Sequence, residues 1–506
     1  PPPPPPPPPP LPADDAIRDL SLSLVGSEMC IRDRSFRVLS PLLSSFLLVS
    51  PGVAKPPIPT PADAPIVGEL DPFLLGRLLD GQPLGKDAGI KDLQGDEEFE
   101  ALVEKHGLQL FGGPMLGDLS ERGGAVWLRT AKPAKVELLI DGKVVAAGAT
   151  ELKGDLSTVL RFDGLSADTR YRYDVAVDGN KVFGDADRRP EFRTYPAPGE
   201  GGQFEIGFGG GARYNHSKER IWDTIAARQP AAFLWLGDNL YIDDPQSRTR
   251  QRVYYYRRQL RPEFRRLVAS SAQYSIWDDH DFGANDVSGG IAVDRPAWKI
   301  PVWRVFKENW ANPAYGGGED QPGCWYSFNI GDVDFFMTDG RYYRDFKKAK
   351  TMLGEAQKRW LLDALKASRG TFKVIASGTL WTEHADKGGA DSWWGVKEER
   401  EEIFSLIDSE NIGGVVLISA DRHRTDVYQI HRPQGYTLYE FETSKLTNDH
   451  THPTKKEALF SYNKGNYFGS LAFDLDKDDP EVTFRCITID GEEVYALRLK
   501  RSQLQK

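Results

Sequence analysis

The sequence predicts two folded regions, a small all-β sandwich followed by a larger layered α/β domain. Residues 111–198 contain short strands of alternating polarity, separated by Gly, Asp, Asn and Pro at the spacing of a sandwich. From residue 203 to residue 506, apolar runs alternate with helical stretches, which is typical of a layered α/β domain. A chain of 506 residues is also too long for one simple core.

The first 54 residues are predicted to lie outside both folded regions as a disordered leader. A run of ten prolines has no core-forming residues, and "GSEMCIRDR", residues 26–34, resembles a translated sequencing-library transposon end. We therefore expect the native protein to start near Ser35 or to have lost its start there; a genuine disordered leader is the alternative. The next stretch, "SFRVLSPLLSSFLLVSPGVA", has the order of a secretory signal, which predicts export to the periplasm or the extracellular space.

Residues 55–110 are predicted to form a linker, "KPPIPTPADAP", and a short helical segment, "DEEFEALVEKHG". Within the sandwich that follows, Trp127 is a candidate core residue. Tyr171 and Tyr173, just behind "LSAD", resemble the tyrosine corner of a fibronectin-like or immunoglobulin-like domain.

In the α/β region, fully apolar strands such as "AAFLWL" and "VVLIS" indicate burial on both faces of a sheet. The basic and aromatic run of residues 246–271 predicts one long helix. Such a helix either frames an anionic substrate or packs its aromatic side chains inward and leaves its arginines in water. The C-terminal part returns to strands.

Composition excludes several classes of protein. A net charge of −10 and a pI near 5.5 argue against a general nucleic-acid-binding module or an anionic-membrane binder. Three cysteines are too few for a disulfide scaffold, so Cys324 and Cys486 are expected to be small buried apolar residues, with a disulfide as the alternative. No segment has the ~20 apolar residues of a transmembrane helix. The oligomeric state stays open.

Five apolar runs end in side chains of the coordinating type: Asp238, Asp278 to Asp281, Asp339, Thr379 with His384 beyond it, and Asp421 with His423. One such acid is ordinary as a turn or capping residue. Five at the carboxyl ends of strands predict a shared crevice. Oxygen and imidazole donors without thiolates suit hard to borderline cations, which would neutralise carboxylates that otherwise repel one another.

The sequence lacks the motifs of three other kinds of catalytic or nucleotide-binding site. The sequence contains no G-x-x-x-x-G-K-[ST] phosphate loop, no H-E-x-x-H zinc helix and no G-x-S-x-G nucleophile elbow.

The motifs "GDNLY", "WDDHD" followed by "ND", "TDGRYYRD", "LGEAQKRWL" and "SADRH" resemble those of the PhoD-like (alkaline phosphatase D) metallophosphoesterases, from about Phe111 to the C terminus. This family is related to purple acid phosphatases and calcineurin-like phosphoesterases. The resemblance implies a β-sandwich core flanked by helices. It also implies an exported enzyme that hydrolyses phosphate monoesters or diesters, with a hydroxide held between two metal ions as the attacking group.

The resemblance also assigns roles to individual residues. It implies metal ligands at Asp238, Tyr241, Asp279, Asn285, Asp421 and His423. It implies that His280 contacts the phosphate and helps the leaving group depart, and that Arg341 is a catalytic phosphate clamp. The two ions are divalent or trivalent, iron with calcium, manganese or zinc being the combinations considered, and their identity stays open.

One departure from the family pattern affects these expectations. Where the family has Ser and a metal-binding Cys, this chain has Gly210 and Gly211. Either the first metal has fewer protein ligands, or Asn215 or His216 substitutes, or the site is partly lost. Glycines also permit close approach of the backbone to an anion, so both are candidate substrate-binding residues. The alternative function is therefore a binding protein that kept the fold and lost turnover.

Overall fold

The structure is a computed structural model that describes residues 64–80, 84–184, 188–385 and 389–506. The predicted leader, the transposon-like run and the secretory signal lie outside the described residues. Within the described ranges, none of the helices combines the length and apolarity needed to cross a membrane.

Nine α-helices occur in the described ranges. They are α1 (Ala64–Leu74), α2 (Glu97–Lys105), α3 (Ile221–Ala226), α4 (Arg248–Gln259), α5 (Pro262–Ser270), α6 (Asp279–Phe282), α7 (Lys299–Lys307), α8 (Gly354–Ala367) and α9 (Lys397–Ser409). A π-helical turn follows α1 at Leu75–Leu79. Short 3₁₀ turns lie at Ile90–Leu93, Leu152–Gly154, Gly318–Asp320, Trp393–Val396 and Arg501–Gln503.

The segment predicted as linker and helix is packed against the rest of the protein. The Asp96 side chain caps α2 by accepting the N–H groups of Glu98 and Phe99. Apolar side chains from this segment form a cluster with Val253 and Tyr256 of α4. Described residues before 110 therefore cover one side of the following domains.

Residues 110–193 fold into two antiparallel sheets. The strands are β1 (Leu110–Gly117), β2 (Gly124–Thr130), β3 (Ala134–Ile140), β4 (Lys143–Thr150), β5 (Ser157–Phe162), β6 (Arg170–Val177), β7 (Asn180–Lys181) and β8 (Glu191–Arg193). One sheet has the order β1-β2-β5, and the other has β4-β3-β6-β7 with β8 also paired to β6. Ser166 N–H donates to the Tyr171 hydroxyl at 3.0 Å, as in a tyrosine corner, while the fibronectin-like or immunoglobulin-like class stays a prediction.

Two mixed sheets build the α/β region. Its strands are β9 (Gln203–Gly209), β10 (Ala232–Leu236), β11 (Ala272–Ile276), β12 (Tyr326–Ile330), β13 (Val333–Met337), β14 (Phe372–Ala376), β15 (Val415–Ser419), β16 (Thr425–Ile430), β17 (Leu438–Thr443), β18 (Phe460–Tyr462), β19 (Tyr467–Asp474), β20 (Glu481–Thr488) and β21 (Glu493–Lys500). The first sheet has the order β11-β10-β9-β19-β20-β21, and the second has β12-β13-β14-β15-β17-β16-β18.

The two sheets share one core. Phe441 of β17 stacks on Phe484 of β20 with ring centroids 4.4 Å apart, and Phe335 of β13 contacts Phe473 of β19. Strands β9, β10 and β11 are parallel in the first sheet, and β13, β14, β15 and β17 are parallel in the second. The carboxyl ends of these parallel strands carry the polar residues singled out in the sequence.

The single long helix predicted over residues 246–271 is wrong, because the structure has two helices, α4 and α5, there. Pro262 is the first residue of α5, and Arg261 before it has extended backbone angles. A proline cannot donate the helical hydrogen bond and disfavours helical angles in the preceding residue, so the chain turns at this point.

A buried polar network joins the N-terminal sandwich to α4 and α7. Arg129 Nη1 donates to Gln259 Oε1 and Asn309 Oδ1 at 2.8 and 3.0 Å, and its Nη2 lies 3.5 Å from Asp155. The side chains of Arg129 and Asp155 are both 0% exposed. The Asp155 carboxylate also accepts the hydroxyl of Tyr256.

Replacing Asp155 with Ala should therefore lower the free energy of unfolding by about 3–5 kcal/mol, because it leaves a buried guanidinium without its counter-charge. Urea unfolding of the full chain measures the change. Glu355→Ala removes an exposed ion pair with Arg359 and should leave the unfolding midpoint unchanged. Equal effects of the two substitutions would contradict this role of Asp155.

Candidate metal centre

A cleft of about 740 Å³ opens where the parallel strands of the two sheets end. It is lined by all six residues predicted as metal ligands and by His280. The lining includes Asp238, Tyr241, Asp279, His280, Asn285, Asp286, Asp421, Arg422, His423, Asn448, His450 and His452. The cleft thus brings together side chains that lie up to 239 residues apart in the sequence, from Arg213 to His452.

Asp238, Tyr241 and His423 form a connected chain at the base of the cleft. The Tyr241 hydroxyl donates to Asp238 Oδ2 at 2.9 Å and lies 2.8 Å from Nε2 of His423. Nδ2 of Asn448 is 3.3 Å from the same imidazole nitrogen. The loop after β10 is thereby joined to the loop after β15.

The three aspartates of "WDDHD" have different surroundings. Asp279 faces the cleft, and its carboxylate accepts the N–H groups of His280 and Asp286 at 3.0 and 2.6 Å. Asp281 instead accepts the N–H groups of Asn239 and Leu240 at 3.1 and 2.7 Å, which fixes the loop that carries Asp238. Burial raises the pKa of Asp281 to about 7.

Asp421 lies 3.2 Å from Arg422 and Asp279 lies 3.8 Å from Arg341, whereas Asp238 forms no ion pair with the described residues. Asp238 Oδ1 is buried and has no hydrogen-bond partner among the described residues. Burial, together with the charges of Asp279 and Asp278, raises the pKa of Asp238 well above its ordinary value. Burial likewise raises the pKa of Asp421 to about 8 against the opposing effect of Arg422. Cations bound between these groups would remove both penalties, so the donor set fits metal ions.

Three of the candidate ligands have left-handed backbone conformations. The φ angles are 51° at Asp238, 88° at Asp421 and 47° at His423. Residues other than glycine adopt this region at a cost of about 1–3 kcal/mol, and such strain concentrates at functional sites. The three side chains are directed by backbone that the surrounding fold holds in place.

His423 is buried next to other imidazoles. Burial, together with the nearby His450 and His452, lowers its pKa to about 3. The ring therefore stays neutral at ordinary pH, which is the form that binds a metal. Nδ1 of His423 is buried and has no hydrogen-bond partner among the described residues.

His280 lies over Tyr241, with ring centroids 4.2 Å apart. Its Nδ1 is 2.5 Å from Asp243 Oδ1. Burial lowers the pKa of His280, but the hydrogen bond to Asp243 and the charge of Asp279 outweigh burial, so the pKa is raised overall. One nitrogen of His280 also lies within 4.8 Å of carboxylate oxygens of Asp238 and Asp279, so the ring is near any ion bound there.

Arg341 is not placed as a phosphate clamp, because its side chain is 0% exposed and does not line the cleft. Its guanidinium is bound by two carboxylates, Asp278 at 2.8 Å from Nη2 and Asp391 at 2.9 Å from Nη1. Its Nη2 is also 3.8 Å from Asp279. Arg341 therefore lies next to the cleft and holds its acids. Asp339, expected at the same rim, is likewise buried and accepts the Trp277 indole N–H at 2.8 Å.

The two glycines at the end of β9 pack against backbone and are not placed to bind substrate. Gly210 N–H donates to the Thr443 carbonyl at 3.2 Å, so it is unavailable to an anion. A Cβ at this position would lie 2.7 Å from the Cβ of Ala420, the Ala of "SADRH". Gly211 has a φ of +67°, and its carbonyl accepts the N–H groups of Thr447 and Asn448 at 3.2 and 3.1 Å. Neither glycine lines the cleft.

Neither substitute considered for the absent Cys reaches the cleft. Asn215 donates to Asp449 at 2.7 Å, and His216 lies 3.6 Å from Asp71. Neither residue is part of the lining.

The sequence motifs do not identify Asn448, His450 and His452 as site residues, because a single histidine in a loop is more often a surface or core residue. The structure places both histidines beside His423, with one nitrogen of each ring within 4.8 Å of the others. The signal was the H-x-H spacing in "TNDHTHP" soon after a buried strand.

Arginine and tyrosine side chains line another part of the cleft. The guanidinium carbon of Arg257 lies 4.4 Å from the ring centroid of Tyr214, and that of Arg213 lies 6.0 Å from the ring of Tyr241. Tyr255 and Tyr256, which also lie in α4, are buried in the protein interior. Helix α4 therefore packs part of its aromatic face inward, while Arg250, Tyr254 and Arg257 line the cleft; its contact with an anionic substrate stays a prediction.

A family model described as "PhoD-like phosphatase" matches residues 206–484, which is more than half of the chain. The chain belongs to this family. A second model, described as a domain of unknown function (DUF7800), matches residues 107–196. Family membership confirms the resemblance found in the sequence motifs and supports the expectation of a phosphate-ester hydrolase.

Individual relatives agree with the family match. Alkaline phosphatase D of Bacillus subtilis (strain 168) is 23% identical over 365 residues, and the match spans 60% of each chain. The solved structure of PhoD has a TM-score of 0.64 at 17% identity and covers 77% of this chain and 88% of that one. Purple acid phosphatase PPD1 from yellow lupin (Lupinus luteus) seeds has a TM-score of 0.57 at 11% identity, covering 77% and 75%.

These two solved structures confirm the predicted α/β metallophosphoesterase fold. The chain spans about 60% of the length of the curated relative it matches.

Metal binding to this PhoD-like protein should be strongly pH-dependent. Asp421, with a pKa of about 8, must release its proton to bind a cation, so metal affinity should rise with pH up to about 8 and then level. The same raised pKa makes the metal-free fold lose stability as pH rises from about 4, the ordinary Asp value, to about 8. The stabilisation by metal should therefore grow across this range.

Thermal unfolding of chelator-treated and metal-reconstituted protein at a series of pH values measures this effect. At metal concentrations ~100 times Kd the stabilisation should reach about 2.7 kcal/mol. Asp238→Asn should reduce it. Identical melting curves with and without metal at every pH would contradict the metal assignment.

Gly211→Ala should lower the free energy of unfolding by about 1–2 kcal/mol or more. The added Cβ meets a left-handed backbone and lies 2.9 Å from Ser444 Oγ and 3.0 Å from Lys445 N. Gly142→Ala is the matched control, because Gly142 has a φ of +78° with open space around it. A loss at Gly211 no larger than that at Gly142 would show that the close contacts are unimportant.

Proposed function

We propose that this protein is a metal-dependent phosphatase that hydrolyses phosphate monoesters or diesters. The observation that carries the proposal is the cleft in which Asp238, Asp279, Asp421 and His423 meet. Buried acids that raise one another's pKa, in a cleft open to solvent, are typical of catalytic metal sites. Membership of a phosphatase family supports the same conclusion.

In this proposal, Asp238, Tyr241, Asp279, Asn285, Asp421 and His423 would hold the two cations, with the Asp238 carboxylate serving both, as the resemblance implies. Two bound cations would supply an acidified water molecule and neutralise charge on a phosphate. Asp286 is a further candidate ligand, because its carboxylate can approach within 4.8 Å of one oxygen each of Asp279 and Asp391.

The positive side chains of the cleft would bind the phosphate oxygens. Arg213 is exposed in the cleft above Tyr241, whereas Arg422 is buried and lies 3.2 Å from the Asp421 carboxylate. A guanidinium can donate two parallel hydrogen bonds to a phosphate and stabilise charge as it develops. Arg213 takes the role that the resemblance assigned to Arg341.

His280 is the candidate proton donor to the leaving group. Asp243 holds Nδ1 at 2.5 Å, which leaves Nε2 as the nitrogen that would face a substrate oxygen. A raised pKa keeps the imidazole protonated to higher pH, as an acid catalyst requires.

Arg341 would act as a positioning residue. It is held by Asp278 and Asp391 and lies 3.8 Å from Asp279. Its positive charge lowers the pKa of Asp279 in spite of burial, which keeps this acid ionised and ready to bind a cation.

The alternative of a binding protein that lost turnover rests on the absent Cys at Gly211. The family match and the remaining donors in the cleft do not favour it. Export to the periplasm or extracellular space is proposed on the apolar stretch after Arg37 alone.

Turnover of an aryl phosphate monoester and a bis-aryl phosphate diester by the metal-loaded full chain tests the proposal. Asp238→Asn should reduce kcat by more than ~100-fold, since it removes the carboxylate shared by both cations. Its melting temperature in chelator should not fall below that of the parent protein. Asp163→Asn changes an exposed side chain and should retain full activity.

Stoichiometric metal without hydrolysis of either ester would support the binding-protein alternative. Unchanged turnover in Asp238→Asn would contradict the assignment of the catalytic site to this cleft.

A further inference from the structure

Four of the eight histidines of the chain line the cleft, and three of them form a separate cluster. His423 follows β15, whereas His450 and His452 lie in the loop after β17. The ring centroids of His423 are 5.1 and 5.7 Å from those of His450 and His452, which are 4.8 Å apart. One nitrogen of each ring lies within 4.8 Å of the other two, close enough to surround one ion after small side-chain rotations.

The loop that carries His450 and His452 is held on both sides. The Gly211 carbonyl accepts two N–H groups from its start, and Thr447 Oγ1 donates to the Arg213 carbonyl at 2.6 Å. On the other side, Asn463 Nδ2 donates to the His452 carbonyl at 2.9 Å. Within the loop, His450 N–H donates to Asn448 Oδ1 at 2.9 Å.

His423 provides an independent indication of a ligand. Its side chain is 7% exposed, and its buried Nδ1 has no hydrogen-bond partner among the described residues. His450, in contrast, is exposed and His452 is half-buried. An ion could therefore enter from solvent past His450 and reach the buried ring.

We propose that His423, His450 and His452 bind one borderline divalent transition-metal ion, such as Zn²⁺ or Fe²⁺. Three imidazoles select such ions over Ca²⁺ and Mg²⁺, which prefer oxygen ligands. His450 and His452 supply the donors that Gly211, a residue without a side chain, does not.

The inference deepens the proposed function, on which it rests for placing this ion beside Asp238. The hydrogen bond of Tyr241 to Asp238 and its contact with His423 link the imidazole cluster to the carboxylates.

Zn²⁺ binding to the full chain tests the proposal. The double variant His450→Ala/His452→Ala, compared with the parent by calorimetric titration and elemental analysis, should bind Zn²⁺ at least tenfold more weakly. It should also lose about one equivalent of metal. With Co²⁺ as the probe, the visible absorption of the parent should weaken in the double variant.

His431→Ala is the matched control, because His431 contacts Thr437 at the surface and does not line the cleft. It should bind Zn²⁺ as the parent does. Circular dichroism and melting in chelator check that each variant is folded, and His450→Gln and His452→Gln test each position with a smaller change in volume.

Unchanged Zn²⁺ stoichiometry and affinity in the folded double variant would overturn the three-histidine site while leaving the proposed hydrolysis standing. Conversely, Zn²⁺ that depends on the histidines in a protein that hydrolyses neither ester would support the site and overturn the proposed function. The two proposals therefore fail in different measurements.

Discussion

The arrangement of the cleft depends on repulsion among buried carboxylates. Asp238, Asp279 and Asp421 are brought together by strand ends from both sheets, and in the described part of the chain Arg341 and Arg422 neutralise only part of their charge. Arg341 offsets part of this negative charge, but its guanidinium donates its hydrogen bonds to Asp278 and Asp391. A site with a surplus of negative charge at its base is unstable by itself and is stabilised by bound metal ions.

The same constraint explains which polar residues contribute to structure and which face the cleft. Buried acids fix the backbone of two of the loops: Asp281 of α6 holds the loop of Asp238, and Asp339 holds the turn that carries Arg341. The left-handed backbone at Asp238, Asp421 and His423 persists because relaxing it would break buried hydrogen bonds. The remaining acids are left to face the ions.

The fold and the cleft residues that follow apolar strands were predictable because they depend on local patterns. Apolar strands ending in Asp238 or Asp421 identify both the α/β sheets and the edge where ligands bind. Arg341 could not be assigned, because its role depends on Asp278 and Asp391, whose positions relative to it are fixed only by tertiary packing. His450 and His452 could not be assigned for a similar reason, because the role of a loop histidine depends on the side chains that lie near it in the folded protein.

Gly210 and Gly211 show that the absence of a side chain can change the backbone contacts of a site while its other donor residues stay in place. At Gly210 the absence of Cβ allows Ala420 and the Gly237 carbonyl to approach, which brings the loops of Asp421 and Asp238 together. At Gly211 the left-handed backbone turns its carbonyl toward the loop of the histidines, and a Cβ there would collide with Ser444 and Lys445. A cysteine at this position would therefore require the backbone at Ser444 and Lys445, which leads into the loop of His450 and His452, to shift.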